Sequence, residues 1–477
     1  MQSRNILILF AGALLWASCG PSLETTTVQT ETSELLGNPD SVAVASDDEE
    51  EFVQVSLGEI APIHSLDPLF ATSDSELRIN NLVYEQLIGI DQFGNPVPEL
   101  AKRWEVNEDS TQFIFHLRTD IYFHDSQVFG AGNGRRFIAE DVKFIFERMA
   151  SDDVPAFTAN RFSDIRGFNA YHREQTLIKD PSKRVIESIE GLRVRNDSTV
   201  VFFMSKPASD LLKRLAHPQA SVYAKESIPE KPGAIQQAAG TGRFQLVKKD
   251  GNTIILTVNS DYRGVIPSLN RLDIVSGLEE RDLYQDFARR DLDGLIEVSY
   301  PTLKTITDST AQLIDQFTPM YQLLNSGVHT MHTVYFNRES GQAKQVNRLL
   351  RSLNTIHLLR STNWGEVTLD TLEITGAYEQ KSIEQFVATQ NEHFNARMLF
   401  NNLASESAAK GFSFTMNASY APTRFTTFTS LNYEGTIPVI QWQAPIFILL
   451  HRNISGVNIE NSPWELDLTS IKVSGDS

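Results

Sequence analysis

Asp109-Ser110-Thr111-Gln112-Phe113-Ile114-Phe115-His116-Leu117-Arg118 is the stretch from which the fold opens out. Phe113, Phe115 and Leu117 share one face and Gln112, Ile114 and His116 the other, the period of two of a half-buried β-strand. Downstream, Val142, Ile145, Phe146 and Met149 recur at i, i+3, i+4 and i+7, one apolar face of a helix. Glu140 and Asp141 occupy its first turn, where the helix dipole favours acids. Phe244–Lys249 and Thr253–Val258 flank Asp250-Gly251, a two-residue hairpin signal. Gln342–Leu359 reads as a second helix, with Val346, Leu349, Leu350, Leu353 and Ile356 or His357 inward. Strands and helices mix without strict βαβ alternation, so the expected class is mixed α/β (α+β).

At 477 residues the chain is longer than one hydrophobic core usually serves, and two or three lobes are expected. A hydrophobic fraction of 41% and a mean hydropathy of −0.23 exclude both a disordered chain and a multi-span membrane protein. Asp and Glu number 60 against 42 Lys and Arg, a formal charge of −18, which argues against nucleic acid as a partner. The single cysteine excludes internal disulfides and Cys-based metal clusters.

Residues 1–19 read as a targeting signal: Arg4, then the apolar run Ile6–Leu15, then Ala17-Ser18-Cys19. Two small residues before the only cysteine resemble the lipobox of bacterial lipoproteins, in which Cys19 would become the lipidated amino terminus. Residues 20–51 carry nine acids and no Lys or Arg among Ser and Thr, the composition of an extended acidic tether. Half of the net charge lies there, leaving about −10 for the remainder, which is moderate for its size.

Several blocks in order resemble the bacterial family 5 extracellular solute-binding proteins, the peptide- and nickel-type receptors of ABC importers. Ser65-Leu66-Asp67-Pro68 and Asn81–Leu87 resemble the opening "LDP" and "VYEGL" blocks, and Pro98-Glu99-Leu100-Ala101 with Trp104-Glu105-Val106 continues them. Asp109–Arg118 resembles "D-x-x-T-x-x-F-x-L-R". Phe123-His124-Asp125, Ala139–Val142 and Gly240–Phe244 resemble "FHDG", "TAEDV" and "GTGPF". Asn259, Asp261-Tyr262 and Gly264, then Arg289–Asp293, Tyr335–Asn337, Ile437–Val439 and Ile454–Leu468, complete the series. The resemblance is strong from Phe52 to Asn337 and thin from Arg338 to Tyr433.

The resemblance implies a two-lobed clamshell of the large peptide-binding type. Residues 52–85, 223–272 and 440–473 would form the core of lobe I, 86–222 its extra subdomain and 273–439 lobe II. Three departures stand out. Ile138 replaces the helix-capping Thr of the family, and the loop Val128–Phe137 is longer than usual. The second lobe reads as shortened. Asn347–Arg351 only loosely echoes its helix, Val367–Tyr420 reads as a compact replacement, and the acid that holds a peptide amino group in relatives is not recognisable.

By position, the loop Phe70-Ala71-Thr72-Ser73-Asp74 would line the cleft, together with Tyr84, Asn337, Trp364, Tyr420 and Trp442. The aromatic residues read equally well as core. The implied function is a lipid-anchored solute receptor of an ABC importer, on the periplasmic or cell-surface side. Its partners would be a small solute such as an oligopeptide, a permease in the inner membrane and the bilayer. The alternative is a degenerate lipoprotein of the same fold, acting as sensor or scaffold. A monomer is expected, since no heptads recur.

No cofactor, metal or catalytic residue is expected. G-x-S-x-G, H-E-x-x-H and P-loop motifs are all missing. His124-Asp125 reads as a turn, Gly240 and Gly242 as tight-turn glycines, and Gly130, Gly132 and Gly134 as a flexible surface loop. His329 and His332 read as ordinary histidines ahead of a strand.

Overall fold

The computed structural model describes residues 52–71, 73–228, 237–298, 300–308, 312–337, 414–418 and 436–474. The signal, Cys19, the tether and the expected helix Gln342–Leu359 lie outside these residues. So does Val367–Tyr420, apart from the strand Phe414–Ala418.

The strand Gln54–Glu59 sits inside an eight-stranded mixed sheet. It pairs in parallel with Arg271–Ser276 on one side and Gly294–Ile296 on the other. Val55 and Leu57 are fully buried on one face, and Gly58 on the other lies against Leu295, Leu292 and Leu283, as expected for a parallel strand covered on both faces. Thr253–Val258 and then Phe244–Asp250 extend the sheet beyond Arg271–Ser276, antiparallel throughout. Beyond Gly294–Ile296 come Thr436–His451, Tyr321–Asn337 and Phe414–Ala418, again antiparallel. The expected lobe boundaries at 272/273 and 439/440 therefore fall inside strands. Backbone pairing runs through both points, and alternation of side chains carries no mark of where a strand leaves one body for another.

A second, antiparallel sheet runs Ala101–Val106, Gln112–Leu117, Thr199–Phe203, Leu192–Asn196. Phe113, Phe115 and Leu117 face its core as their alternation predicts. The helix Ala139–Met149 covers it, with Val142, Ile145, Phe146 and Met149 fully buried. The Phe146 and Phe202 rings meet edge to face at 5.0 Å, and Phe115 and Phe202 at 5.3 Å.

Ile138 offers no side-chain cap to this helix. Asp141 supplies half of the missing device, accepting the Ile138 N–H at 2.9 Å, and Arg135 grips the same carboxylate through both terminal nitrogens. The hairpin turn is Gly251-Asn252, one residue later than predicted, because Asp250 pairs with Thr253 and Gly251 takes a positive φ of 58°. Gly240 and Gly242 are needed for close approach: a Cβ there would stand 2.0 Å from the Val83 carbonyl oxygen and 2.5 Å from that of Leu82. His124 fixes this crossing, its Nε2 2.8 Å from the Gly242 carbonyl. The glycine-rich loop ends pinned rather than free, since the Gly134 N–H donates to Asp125 and the Phe123 N–H to the Arg135 carbonyl. His329 and His332 lie within the strand Tyr321–Asn337, not ahead of it.

Candidate functional site

The parallel strands end together at Glu59, Ser276 and Ile296. The crevice outside the carboxyl ends of such strands is the usual ligand position in open α/β sheets. After Glu59 the chain turns through Asp67, whose carboxylate accepts the Leu69 N–H at 3.2 Å and opens the 3-10 turn Pro68–Phe70. Arg148 Nη1 donates to Asp67 at 2.9 Å and fixes that turn. The loop 70–74 then enters the helix Asp74–Val83, which Ser73 caps by accepting the Glu76 N–H at 3.2 Å.

Behind this loop lies a buried ionic node. The Arg78 side chain has no exposed surface. Its Nε donates to Glu59 Oε1 at 2.6 Å and its Nη2 to Glu59 Oε2 at 2.7 Å. Nη2 also donates to Glu297 at 2.8 Å, and Nη1 to the Pro463 carbonyl at 2.6 Å. Ser75 Oγ donates to Glu59 at 2.7 Å. Burial alone would lower the Arg78 pKa; Glu59, then Glu297 and Asp74, more than reverse that and hold it above its ordinary value. One guanidinium thus ties the first strand, the first helix, the residue after strand Gly294–Ile296 and the carboxyl-terminal segment. Glu297 reaches it from a left-handed backbone, φ 63°, and its carboxylate is 33% exposed.

The loop is supported from the other side. Ala71 is buried with Leu77 and Trp464, and its carbonyl accepts from Gln219 Nε2 at 2.9 Å. The His217 and Trp464 rings lie 4.8 Å apart. Phe70 and Ser73 are partly exposed, Asp74 is buried, and Thr72 lies outside the described residues.

Tyr84 is a correction: it is a core residue, not a cleft one. Its ring is 1% exposed and lies 5.7 Å from Tyr223, and its hydroxyl donates to the Leu66 carbonyl at 2.9 Å. The helix ends one residue earlier and turns the ring inward. Asn337 ends the strand Tyr321–Asn337 opposite Thr436, and Trp442 stands opposite His332 in the neighbouring strand. Trp364 and Tyr420 lie outside the described residues.

Sequence reading missed Glu59, Arg78, Glu297 and Trp464. The available signal was a short helix, Asp74–Val83, with almost no apolar stripe in its first half. Such a helix, buried nearly throughout, must satisfy its polar groups internally.

The family model described as "Bacterial extracellular solute-binding proteins, family 5 Middle" matches residues 95–346. Di/tripeptide-binding protein 4 of Pseudomonas aeruginosa is 30% identical over 184 residues, 37% of this chain and 32% of that protein. The dipeptide-binding protein of Escherichia coli is 28% identical over 207 residues, 42% of this chain and 35% of its own length. These matches span about a third of the relatives' length. Among solved structures, the murein tripeptide binding protein MppA of Escherichia coli superposes with a TM-score of 0.62 at 14% identity, covering 89% of this chain and 99% of the other. At that identity the likeness concerns the fold alone, the mixed α/β two-lobed clamshell of periplasmic binding proteins. The chain belongs to the bacterial extracellular solute-binding proteins of family 5.

Proposed function

We propose that this chain is an extracytoplasmic receptor that holds a short peptide or similar small solute between its lobes and passes it to an ABC permease, anchored to the bilayer by lipid on Cys19. Within the chain, the observation that carries the reading is the convergence of three parallel strand ends on a capped, partly exposed loop backed by the Arg78 node. A rigid frame of this kind orients ligand contacts without rearranging, which lowers the cost of binding. The names of the relatives favour di- and tripeptides. Phe70, Thr72, Ser73, Asn337, Trp364, Tyr420 and Trp442 are the proposed contacts; Ala71 and Asp74 are buried and shape the loop.

Native mass spectrometry of residues 20–477, purified gently from the native host, tests the proposal. A mass excess that disappears on denaturation, spaced by amino-acid residue masses, is the expected result. A clean unliganded mass, with no thermal shift against a panel of short peptides, would sink the receptor reading. It would favour the sensor or scaffold alternative instead.

A further inference from the structure

A second charged hollow of about 260 Å³ opens at the carboxyl end of the helix Asp74–Val83. The hairpin Ile88–Pro98, the turn bearing Tyr262 and Arg263, and the segment 460–467 close around it. Its bases are largely committed. Arg263 donates to Glu85, Arg243 stands 3.8 Å from Asp467, and both guanidiniums lie 5.5 Å from the centre of the Tyr262 ring. Its acids are not. Among the described residues no Arg, Lys or His reaches ion-pair distance of Glu99 or Glu465. Glu85 is 2% exposed, and its Oε2 makes no hydrogen bond of normal geometry, although the Thr241 hydroxyl is near enough to favour the ionised form.

We propose that this hollow binds a small organic cation through an ammonium or guanidinium group set between Glu99 and Glu465, with the Trp464 indole as its apolar wall. The volume is below the ~300–1,000 Å³ of drug-sized sites, which confines the occupant to small molecules. A bare metal ion is disfavoured, because no metal-ligating group of three or more His, Cys, Asp or Glu occurs among the described residues. The present state of the acids agrees. Burial, then the Glu85 charge, pushes Glu99 up to about 8, with Glu465 adding to the push and Arg263 and Arg243 opposing it. Burial pushes Glu465 up to about 7, with Glu460 adding and hydrogen bonds from Asn461 and the Arg243 charge opposing. Lys213 and Asp467 complete the charged lining. A bound cation would draw both carboxyls into the ionised form.

The test is calorimetric titration of the full chain with agmatine, which carries an ammonium and a guanidinium but no carboxylate. One saturable site is expected, weakened at least about tenfold in the E99Q/E465Q double variant. Titrations of the unaltered protein at pH 7 in two buffers of different ionisation enthalpy should show proton release, a readout that does not depend on the variant folding. Non-saturable binding, equal affinity in the variant, or saturable binding without proton release would each overturn the proposal. Peptide occupancy by native mass spectrometry should be the same in E99Q/E465Q as in the unaltered protein. Loss of both ligands together would place the cation in the peptide cleft and overturn the second site without touching the receptor reading.

Discussion

In the first half of the helix Asp74–Val83, Glu59 and Glu297 share one buried guanidinium. Just past its other end, Glu85, Glu99 and Glu465 share a hollow in which, among the described residues, only Glu85 has its own arginine. Both places bury carboxylates at a cost in hydration. At the node, five hydrogen bonds, two of them the bidentate Arg78–Glu59 pair, offset that cost. In the hollow the cost is left standing, and the carboxyls respond by holding protons near neutrality. The contrast separates an ionic cluster that finishes the fold from one that still has binding capacity.

Breaking the node should give the largest effect. Arg78→Met strands Glu59 in the core and should cost about 3–5 kcal/mol in urea unfolding. A loss under 1 kcal/mol would mean that the node contributes little to stability. The hollow should respond with the opposite sign. In E99Q/E465Q, stability should rise by on the order of 1 kcal/mol at pH 9 and change little at pH 4. The sign follows from folded pKa values raised above the unfolded ones. The penalty is absent below about pH 4.5, where both states are protonated, and grows until pH passes about 8. Thermal melts across that range should therefore show the unaltered protein losing stability faster with rising pH than the variant. An equal slope would remove the hollow from the account.

Two smaller effects sharpen the comparison. Glu297→Gln removes the partly exposed member of the node and should cost only about 0.5–1 kcal/mol, since water already screens that carboxylate. A loss approaching that of Arg78→Met would make Glu297 an equal partner of Glu59. Ile138→Thr restores the missing cap where Asp141 now serves alone, and should gain about 0.5 kcal/mol by chemical denaturation. No gain would show that Asp141 and Arg135 already satisfy that helix end.

Much of the frame was legible. Phe113, Phe115 and Leu117, and the face Val142–Met149, follow from periodicity because each element buries one side only. The block order pointed to the family, whose model matches residues 95–346; the blocks from Pro98 to Asn337 fall within that match, and the opening and closing blocks lie outside it. The candidate site was legible only as a loop. Tyr84 looked like a ligand platform because aromatic rings serve cores and clefts equally well, and only its buried hydroxyl bond separates the two.

By itself, the sequence determined the strand Gln112–Leu117, the helix Ala139–Met149, the class and the family, since these depend on local period and on motifs read along the chain. Tertiary structure alone decided which charges meet. Arg78 and Glu297 are 219 residues apart, and Arg78 and Pro463 are 385 apart. Glu99 and Glu465, far apart along the chain, line the same hollow. Coulomb and hydration energies depend on distance and burial in space, and no pattern along the chain records either.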